Sequence, residues 1–233
     1  MVELGQNPVL DFSGVDLVRN DQPVLHDINL TSSEHRIGVI GANGSGKSSF
    51  ARLLNGLLQP TNGVAKILGH DVSVAQKEVR RRVGFVFQNP DNQIVYPVVS
   101  EDIELGLNGL KIPKDQRKEK VDEILSRFNL LHLRDRSVHM LSGGEKQMIA
   151  LSSVLIMQPK MIVFDEPTTL LDLRNRNAVA STIMGLEQYV VLVTHDLELL
   201  ADFDRVLVFE EGRIAVDDTP KAAISWYKKK MAL

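Results

Sequence analysis

The chain has 233 residues, of which 43% are hydrophobic and 24% are charged. This ordinary globular composition excludes collagen-like, coiled-coil and disordered chains. The net charge of −3 provides no basic excess, which argues against nucleic acid as a main partner. Because the chain has no cysteine, disulfides, thiol nucleophiles and thiolate metal sites are excluded.

Two features of the apolar pattern bear on membranes. Met1–Leu10 lacks a basic segment followed by an apolar run, so it predicts no signal peptide. Apolar runs such as Tyr189–Val193 are far shorter than the roughly 18 residues that a spanning helix needs. We therefore expect a soluble chain that reaches a membrane only through a partner.

Short apolar runs rich in Val, Ile and Phe predict strands buried on both faces of a largely parallel sheet. In chain order these runs are Ile37–Ile40, Val83–Phe87, Met161–Phe164, Val190–Val193 and Val206–Phe209. Four of them end in the polar clusters Gly41–Ser49, Gln88–Gln93, Asp165–Thr168 and Thr194–Asp196. Ligands bind at the carboxyl ends of strands in open α/β sheets, so the four clusters predict one site.

Other segments have helical periodicity. The sequence predicts helices over Phe50–Leu58, within Pro113–His132 and over Met148–Met157, the last ending before Pro159. Residues 88–158 are interpreted as a helical insertion within a single domain that spans 1–233. Its α/β nucleotide-binding core consists of residues 1–87 and 159–233.

The first polar cluster fits the phosphate-loop pattern G-x-x-x-x-G-K-[ST]. Its members are Gly41, Ala42, Asn43, Gly44, Ser45, Gly46, Lys47, Ser48 and Ser49. Glycines allow consecutive backbone N–H groups to point at phosphate oxygens. Lys47 supplies a charge to the β- and γ-phosphates, and Ser48 supplies a hydroxyl ligand for Mg²⁺.

Two carboxylates follow the predicted strand Met161–Phe164. In a phosphate-loop protein, Asp165 holds Mg²⁺ through a water and Glu166 polarises the attacking water. Glu166 beside a γ-phosphate is therefore the candidate general base.

Leu141-Ser142-Gly143-Gly144-Glu145 completes a set of three motifs by which the sequence resembles the ABC-type ATPases. This resemblance implies a phosphate-loop α/β core with a mainly parallel sheet, N-terminal antiparallel strands and an inserted helical subdomain. It also implies that ATP and Mg²⁺ bind, and that two subunits work as a dimer. Ser142, Gly143 and Gly144 would then close on the γ-phosphate of ATP bound to the opposite subunit.

Three further positions match the family. Gln88 corresponds to the Q-loop glutamine, which senses Mg²⁺ and the attacking water, so the resemblance implies Ser48, Gln88 and Asp165 as metal-site residues. Leu171-Asp172 resembles the end of the D-loop, which contacts the other subunit. His195 occupies the switch position, where an imidazole bonds the γ-phosphate and orients Glu166; the resemblance thus implies Glu166, His195, Lys47 and Gln88 as catalytic residues.

The sequence also departs from the family. Thr169-Leu170 stands where Ser-Ala is usual in the D-loop. Arg19 falls where the family stacks an aromatic ring on adenine. A guanidinium can also stack on a base, so Arg19 is either an adenine contact or a solvated loop arginine.

The segment Asn89–Gln93 makes the resemblance more specific. With Ser100–Ile103, Leu133–Arg136 and Glu145–Gln147, it is similar to the ATPases of energy-coupling-factor uptake transporters. That family implies three partners: a second ATPase subunit (a copy or a related chain), a transmembrane coupling protein and a substrate-capture membrane protein. It places the chain peripherally, on the cytoplasmic face of the inner membrane. A cytoplasmic helix of the coupling protein would then dock on Asn89–Gln93 and on the neighbouring apolar surface of the helical insertion.

The solute follows from resemblance alone. The chain ends at Leu233 without the C-terminal extension of many relatives, and this short form resembles the biotin transporter ATPase; cobalt, nickel or another vitamin is the alternative. A soluble DNA-repair or chromosome-organising ABC ATPase would carry long coiled coils, whereas Lys47 and Ser142 are 95 positions apart with no heptads between them. A non-catalytic docking subunit is disfavoured because Lys47, Glu166 and His195 are all present.

Overall fold

The computed structural model describes residues 8–110 and 112–232, and those residues form two sheets and seven α-helices. The prediction that Met1–Leu10 is not a signal peptide rests mostly on residues 1–7, which lie outside the described residues. Leu233 also lies outside them. Among the described helices, none is both long enough and apolar enough to span a bilayer.

The smaller sheet is antiparallel and lies towards the N-terminus. Its strands are β1 (Leu10–Arg19), β2 (Gln22–Ser32), β4 (Asn62–Ile67) and β5 (His70–Asp71), in the order β2-β1-β4-β5. Leu10, Phe12, Val15 and Leu17 of β1 are buried in the core, and a β-bulge between Phe12 and Val15 interrupts their alternation. The expected antiparallel strands are therefore confirmed.

The larger sheet has six strands, in the order β10-β9-β3-β8-β7-β6. They are β3 (Arg36–Gly41), β6 (Val83–Val86), β7 (Met161–Asp165), β8 (Tyr189–Val193), β9 (Arg205–Glu210) and β10 (Arg213–Asp218). Neighbours pair in parallel except β9 and β10. All five strands predicted from apolar runs are present, and almost every residue of β3, β6, β7 and β8 is buried because helices and the other sheet cover both faces.

The helices are α1 (Lys47–Leu54), α2 (Gln76–Arg82), α3 (Val99–Leu105), α4 (Lys114–Arg127), α5 (Gly143–Leu155), α6 (Leu173–Met184) and α7 (Pro220–Met231). Within residues 88–158, the described residues form α3, α4, α5 and four short 3₁₀ turns. This segment has its own apolar cluster, which includes Val99, Ile103, Val121 and Ile149.

Two helices end earlier than their periodicity predicts. The first, expected to reach Leu58, ends at Leu54 because Gly56 has a φ of 71° and its N–H bonds the carbonyl of Leu53, which closes the helix. The second, expected within Pro113–His132, ends at Arg127, and Asn129 takes a left-handed φ of 59°. Apolar spacing alone carries no information about such left-handed residues.

The third predicted helix begins earlier than expected. It starts at Gly143 rather than Met148, because Ser142 and Glu145 form a reciprocal capping box ahead of two residues of low helix propensity. It ends at Leu155, before Pro159 as predicted. The motif Ser142–Gly144 therefore belongs to the N-terminus of α5.

Candidate functional site

The loop that follows β3 folds back tightly, and glycine is required at two of its positions. At Gly41, with a φ of 151°, a Cβ would lie 2.3 Å from the carbonyl oxygen of Phe209. At Gly46, with a φ of 102°, a Cβ would lie 2.8 Å from Cδ2 of Leu25. The β9 strand and the β1–β2 hairpin thus fix the path of the loop into α1.

The ammonium group of Lys47 is buried inside this loop. Its Nζ donates to the carbonyl oxygens of Gly41 and Ala42, at 2.8 Å each. Burial lowers the pKa of Lys47, and the nearby charges of Glu166 and Asp165 oppose that shift. The hydroxyl of Ser45 is also buried and has no hydrogen-bond partner among the described residues. A cation and a hydroxyl without a partner in a glycine-rich loop are suited to an anion.

The two carboxylates at the end of β7 point to different neighbours. Asp165 accepts a hydrogen bond from Ser48 Oγ at 2.9 Å, which joins β7 to the first residues of α1. Glu166 takes a left-handed φ of 56°, and its N–H donates to the carbonyl of Val193 at the end of β8. This sharp turn directs the Glu166 side chain away from the strand axis.

Two donors anchor the Glu166 carboxylate, and the His195 imidazole lies close to it. Its Oε2 accepts from Thr169 Oγ1 at 2.9 Å and from the backbone N–H of His195 at 3.3 Å. Its Oε1 lies 3.2 Å from His195 Nε2 and, although buried, makes no hydrogen bond of regular geometry. One carboxylate oxygen is therefore anchored, and the other is left to accept a proton or a water hydrogen bond.

These groups face one cleft of about 420 Å³ at the carboxyl edge of the larger sheet. The residues that line it are Val24, Asn43, Gly44, Ser45, Gly46, Lys47, Ser48, Ser49, Gln88, Glu166, Thr169 and His195. The structure thus brings together residues from all four of the predicted polar clusters. Sequence reasoning missed Val24 and Thr169; Thr169 lies in the D-loop, where the departure from the family could have identified it.

The three residues expected at a metal site fit Mg²⁺ by their chemistry. Ser48, Asp165 and Gln88 supply only hydroxyl, carboxylate and amide oxygens, which are the hard ligands that Mg²⁺ prefers. Ser48 and Gln88 line the cleft, and Asp165 is bonded to Ser48. Among the described residues, no group of three or more His, Cys, Asp or Glu side chains is arranged to hold a metal. A site of this kind needs oxygens from a phosphate and from water to complete it.

The signature residues Ser142, Gly143 and Gly144 begin α5 beside a second cavity. That cavity, of about 240 Å³, is lined by Gln88, Asn89, Pro90, Asp91, Gly143, Lys146, Gln147, Pro167, Leu170 and Leu171. Gln88 lines both cavities. Gly144 has no room for a side chain, because a Cβ there would lie 2.2 Å from Cγ of Asn175.

The D-loop residue Asp172 caps helix α6. Its carboxylate accepts from the backbone N–H and from the side-chain amide of Asn175, at 2.9 Å each. The flanking apolar residues Leu170 and Leu173 are 67% and 70% exposed. Asp172 thus holds Asn175 against Gly144, a link between two motifs that their spacing in the sequence did not reveal.

Arg19 lies at the end of β1, where it pairs with Gln22 across the β1–β2 hairpin. It is exposed, and the two residues that follow it turn the chain with left-handed φ angles. From the same hairpin, Val24 lines the cleft. Both interpretations of Arg19, as an adenine contact or as a solvated arginine, therefore stay open.

Gln93 requires a correction. The sequence predicts that Asn89–Gln93 form part of a docking surface, but the Gln93 side chain faces inward. Its Oε1 accepts from the N–H of Phe87, and its Nε2 donates to the carbonyl of Ala150 at 2.8 Å. Gln93 therefore ties the segment after β6 to α5, and Asp91 adds an ion pair of 2.7 Å with Lys146 on the same helix.

Comparisons with known proteins agree with this geometry. A family model described as "ABC transporter" matches residues 25–169. A Bartonella quintana protein described as "Putative ABC transporter ATP-binding protein" is 53% identical over 96% of this chain and 99% of its own length. The biotin transport ATP-binding protein BioM of Rhizobium etli is 47% identical over 94% and 98% of the two chains. An energy-coupling factor transporter ATP-binding protein, EcfA1, from Caldanaerobacter subterraneus is 43% identical over 85% and 74%.

The same fold is present in a solved structure. CbiO1 of Clostridium perfringens, described as part of the ABC transporter complex CbiONQ, superposes with a TM-score of 0.84. The two chains are 30% identical, and the match covers 94% of this chain and 92% of that one. With its phosphate loop, its paired carboxylates and its signature helix, this chain belongs to the ATPase family of ABC transporters.

Proposed function

We propose that this chain is the ATP-hydrolysing subunit of an energy-coupling-factor uptake transporter, that it works as a dimer, and that the transported solute is biotin. The observation that carries the hydrolytic part is the Glu166 carboxylate, anchored by Thr169 and His195 in the cleft that also holds the phosphate loop. The similarity to BioM over nearly the whole of both chains supports biotin.

The chain's own residues divide the work of hydrolysis. The loop N–H groups and Lys47 bind the β- and γ-phosphates and stabilise the charge that develops on them. The Oε1 of Glu166 accepts a proton from the attacking water while that water bonds to the γ-phosphorus and ADP leaves. His195, at 3.2 Å from Oε1, orients this carboxylate and donates to the γ-phosphate.

Ser48, Asp165 and Gln88 are the residues that would hold Mg²⁺ beside the phosphates. When bound, the cation neutralises phosphate charge and orients the γ-phosphoryl group. Ser48 is already held by Asp165 at 2.9 Å, so its hydroxyl oxygen is fixed at the entrance of α1.

The arrangement of the signature residues supports a dimer. Gly143 lines the second cavity, whereas the phosphate loop and Glu166 line the first. Since Ser142, Gly143 and Gly144 do not line the cleft of their own chain, an anion site at the start of α5 is free to complete the cleft of a second subunit, as the family resemblance implies. The exposed Leu170 and Leu173 beside Asp172 supply apolar area for that subunit contact.

An apolar surface on the helical segment supports a membrane partner. Val95 and Met140 are 72% and 78% exposed, and Tyr96 is exposed beside Val95. The segments that carry them are joined by a hydrogen bond from the N–H of Val138 to the carbonyl of Pro97. Exposed apolar side chains that lie close together mark interaction sites. A cytoplasmic helix of a transmembrane coupling protein fits there, and it would place the chain peripherally at the cytoplasmic face of the membrane.

Cobalt or nickel is the second candidate solute. It follows from the resemblance to the energy-coupling-factor ATPases, to which EcfA1 of Caldanaerobacter subterraneus adds a relative at 43% identity. The higher identity to BioM, 47%, favours biotin.

Uptake of radiolabelled biotin tests the proposal in cells that lack other biotin importers. Deleting the gene should abolish uptake, and the wild-type chain should restore it. Glu166→Gln should not restore it, because the amide cannot take the proton. The matched control Glu187→Gln changes an exposed glutamate outside the cleft and should restore uptake fully.

The outcomes separate the parts of the proposal. Normal biotin uptake after deletion, with impaired cobalt or nickel accumulation, would refute biotin and leave the uptake ATPase standing. Restoration by Glu166→Gln would refute the assignment of the base. Purified protein that does not hydrolyse ATP with Mg²⁺ would refute the hydrolytic function itself.

A further inference from the structure

A bidentate ion pair joins helix α6 to the switch loop, defined here as Thr194–Asp196. Arg176 Nε donates to Asp196 Oδ2 at 2.5 Å, and Arg176 Nη2 donates to Asp196 Oδ1 at 2.7 Å. Nη2 also donates to Glu198 at 3.1 Å. Because a planar guanidinium bonds both carboxylate oxygens, the pair fixes the orientation of Asp196 as well as its distance.

The switch loop is held on its other side by the candidate base. His195, the residue before Asp196, donates its backbone N–H to Glu166 Oε2 at 3.3 Å. Its Nε2 lies 3.2 Å from Glu166 Oε1. The position of the imidazole therefore depends on two anchors, Glu166 inside the cleft and Arg176 outside it.

The first turn of α6 also contacts the two motifs that the proposed function assigns to the contact with a second subunit. The N–H of Arg176 donates to the carbonyl of Asp172, the D-loop residue that caps the helix. Asn175, one residue earlier, packs on Gly144 at the start of α5. The same turn thus touches the D-loop, the signature helix and, through Arg176, the switch loop.

We propose that Arg176 is a positioning residue for hydrolysis: through Asp196 it sets His195 against Glu166, and so ties the catalytic groups to the turn that carries Asp172 and Asn175. The inference rests on the proposed function, in which Glu166 and His195 carry the chemistry. It assigns Arg176 no contact with ATP, so nucleotide binding should not depend on it.

A second bidentate ion pair, far from the cleft, serves as a control. It shows how much of an effect comes from lost stability and how much from lost positioning of His195. Arg205 on β9 bonds both oxygens of Asp217 on β10, at 2.5 Å each. The two arginine side chains are equally exposed, at 20% and 21%. Arg205 and Asp217 contact neither the cleft lining nor the switch loop, so removing this pair removes stability alone.

The experiment compares Arg176→Gln, Asp196→Asn, their double variant and the control Arg205→Gln in the full-length protein. ATP affinity, the single-turnover rate of hydrolysis and the melting temperature are measured for each. We expect Arg176→Gln to slow hydrolysis about tenfold, because small misplacements of catalytic groups cost one to two orders of magnitude. ATP affinity should stay within about twofold, since the contacts to phosphate are intact.

Coupling between the two residues gives a second readout. Since they act through one contact, the double variant should hydrolyse ATP no more slowly than the slower single variant. Arg205→Gln should lower the melting temperature but keep the rate. Arg176→Lys, which retains the charge but not the fork, should recover part of the rate. If Arg176→Gln fails to fold, the near-isosteric Asp196→Asn still reports on the pair.

Three results would overturn the inference: an unchanged single-turnover rate in Arg176→Gln and Asp196→Asn, additive losses in the double variant, or an equal slowing in Arg205→Gln. Glu166→Gln and His195→Ala are assayed in parallel. If both abolish turnover while Arg176→Gln does not slow it, only the inference fails. If the wild-type protein does not hydrolyse ATP, the proposed function fails.

Discussion

Glu166 has a left-handed backbone conformation, with a φ of 56°, at the end of a buried strand. For a residue with a Cβ, this conformation costs about 1 kcal/mol or more. The hydrogen bond from its N–H to Val193 and the donors Thr169 and His195 offset that cost. Strain of this kind at a candidate catalytic residue fixes the side chain in a direction that an extended strand would not give it.

Thr169→Val tests the orientation of this carboxylate, because it removes the hydroxyl donor and keeps the side-chain volume. Losing one hydrogen bond of about 1 kcal/mol should slow hydrolysis about fivefold. ATP affinity should be unchanged. The control Thr169→Ser keeps the hydroxyl and should hydrolyse ATP at nearly the wild-type rate. Equal rates for the valine and serine variants in single-turnover assays would contradict the orienting role.

At the scale of the element, helix α5 depends on its capping box. Glu145 accepts from the backbone N–H and the hydroxyl of Ser142, at 2.8 Å each. The backbone N–H of Ser142 is the main cause that lowers the pKa of Glu145, followed by the Ser142 hydroxyl. A carboxylate whose pKa is lower in the folded state stabilises the fold above its unfolded pKa and loses that effect as pH falls through the folded value.

Glu145→Ala should therefore lower the free energy of unfolding by roughly 0.5 kcal/mol near neutral pH. The difference from wild type should shrink as the pH falls below the ordinary carboxyl range. Glu145→Gln is the control, since glutamine also completes a capping box and does not titrate. Urea unfolding at several pH values measures both; a Glu145→Ala deficit that grows on acidification would contradict the sign.

The strands of the larger sheet could be predicted from the sequence more accurately than the ends of the helices. Apolar runs predicted the five core strands because burial on both faces leaves a continuous signal. The ends of helices were predicted less accurately. Gly56 and Asn129 end α1 and α4 because they take left-handed backbone conformations, and the spacing of apolar residues gives no information about such conformations. The start of α5 was misjudged because Gly143 and Gly144 have low helix propensity, which the cap at Ser142 overcomes.

At the scale of the whole molecule, the sequence predicted which residues meet in the cleft. It did not predict the side-chain contacts that join the cleft to the surrounding helices. Lys47, Gln88, Glu166 and His195 come from four separate segments, and the rule that ligands bind at the carboxyl ends of strands was enough to group them. The Arg176–Asp196 pair was not predictable, because its partners are 20 residues apart with no shared motif. Gln93 was misjudged because a polar residue in a polar loop gives no sign that its amide faces inward.

In one chain, the phosphate loop and Glu166 line one cavity, and Gly143 of the signature lines another. In the proposed dimer, each chain would therefore complete the cleft of its partner. Glu166→Gln destroys the base of a chain's own cleft, whereas Ser142→Arg fills the signature that serves its partner. Each variant alone should be nearly inactive, since both sites of its homodimer are defective. In a mixed dimer one site carries both defects and the other carries neither.

Mixing equal amounts of the two variants should therefore restore ATPase activity to about a quarter of the wild-type value, because half of the dimers form with one intact site of two. The control mixture combines Glu166→Gln with Lys47→Ala chains. Both changes lie in a chain's own cleft, so no pairing of these chains creates an intact site, and activity should stay near zero. Steady-state phosphate release over a range of protein concentrations measures each mixture. Equal activity in the two mixtures would mean that Ser142 serves the cleft of its own chain. A rate per subunit that does not change with protein concentration would mean that the active unit is not a dissociating dimer.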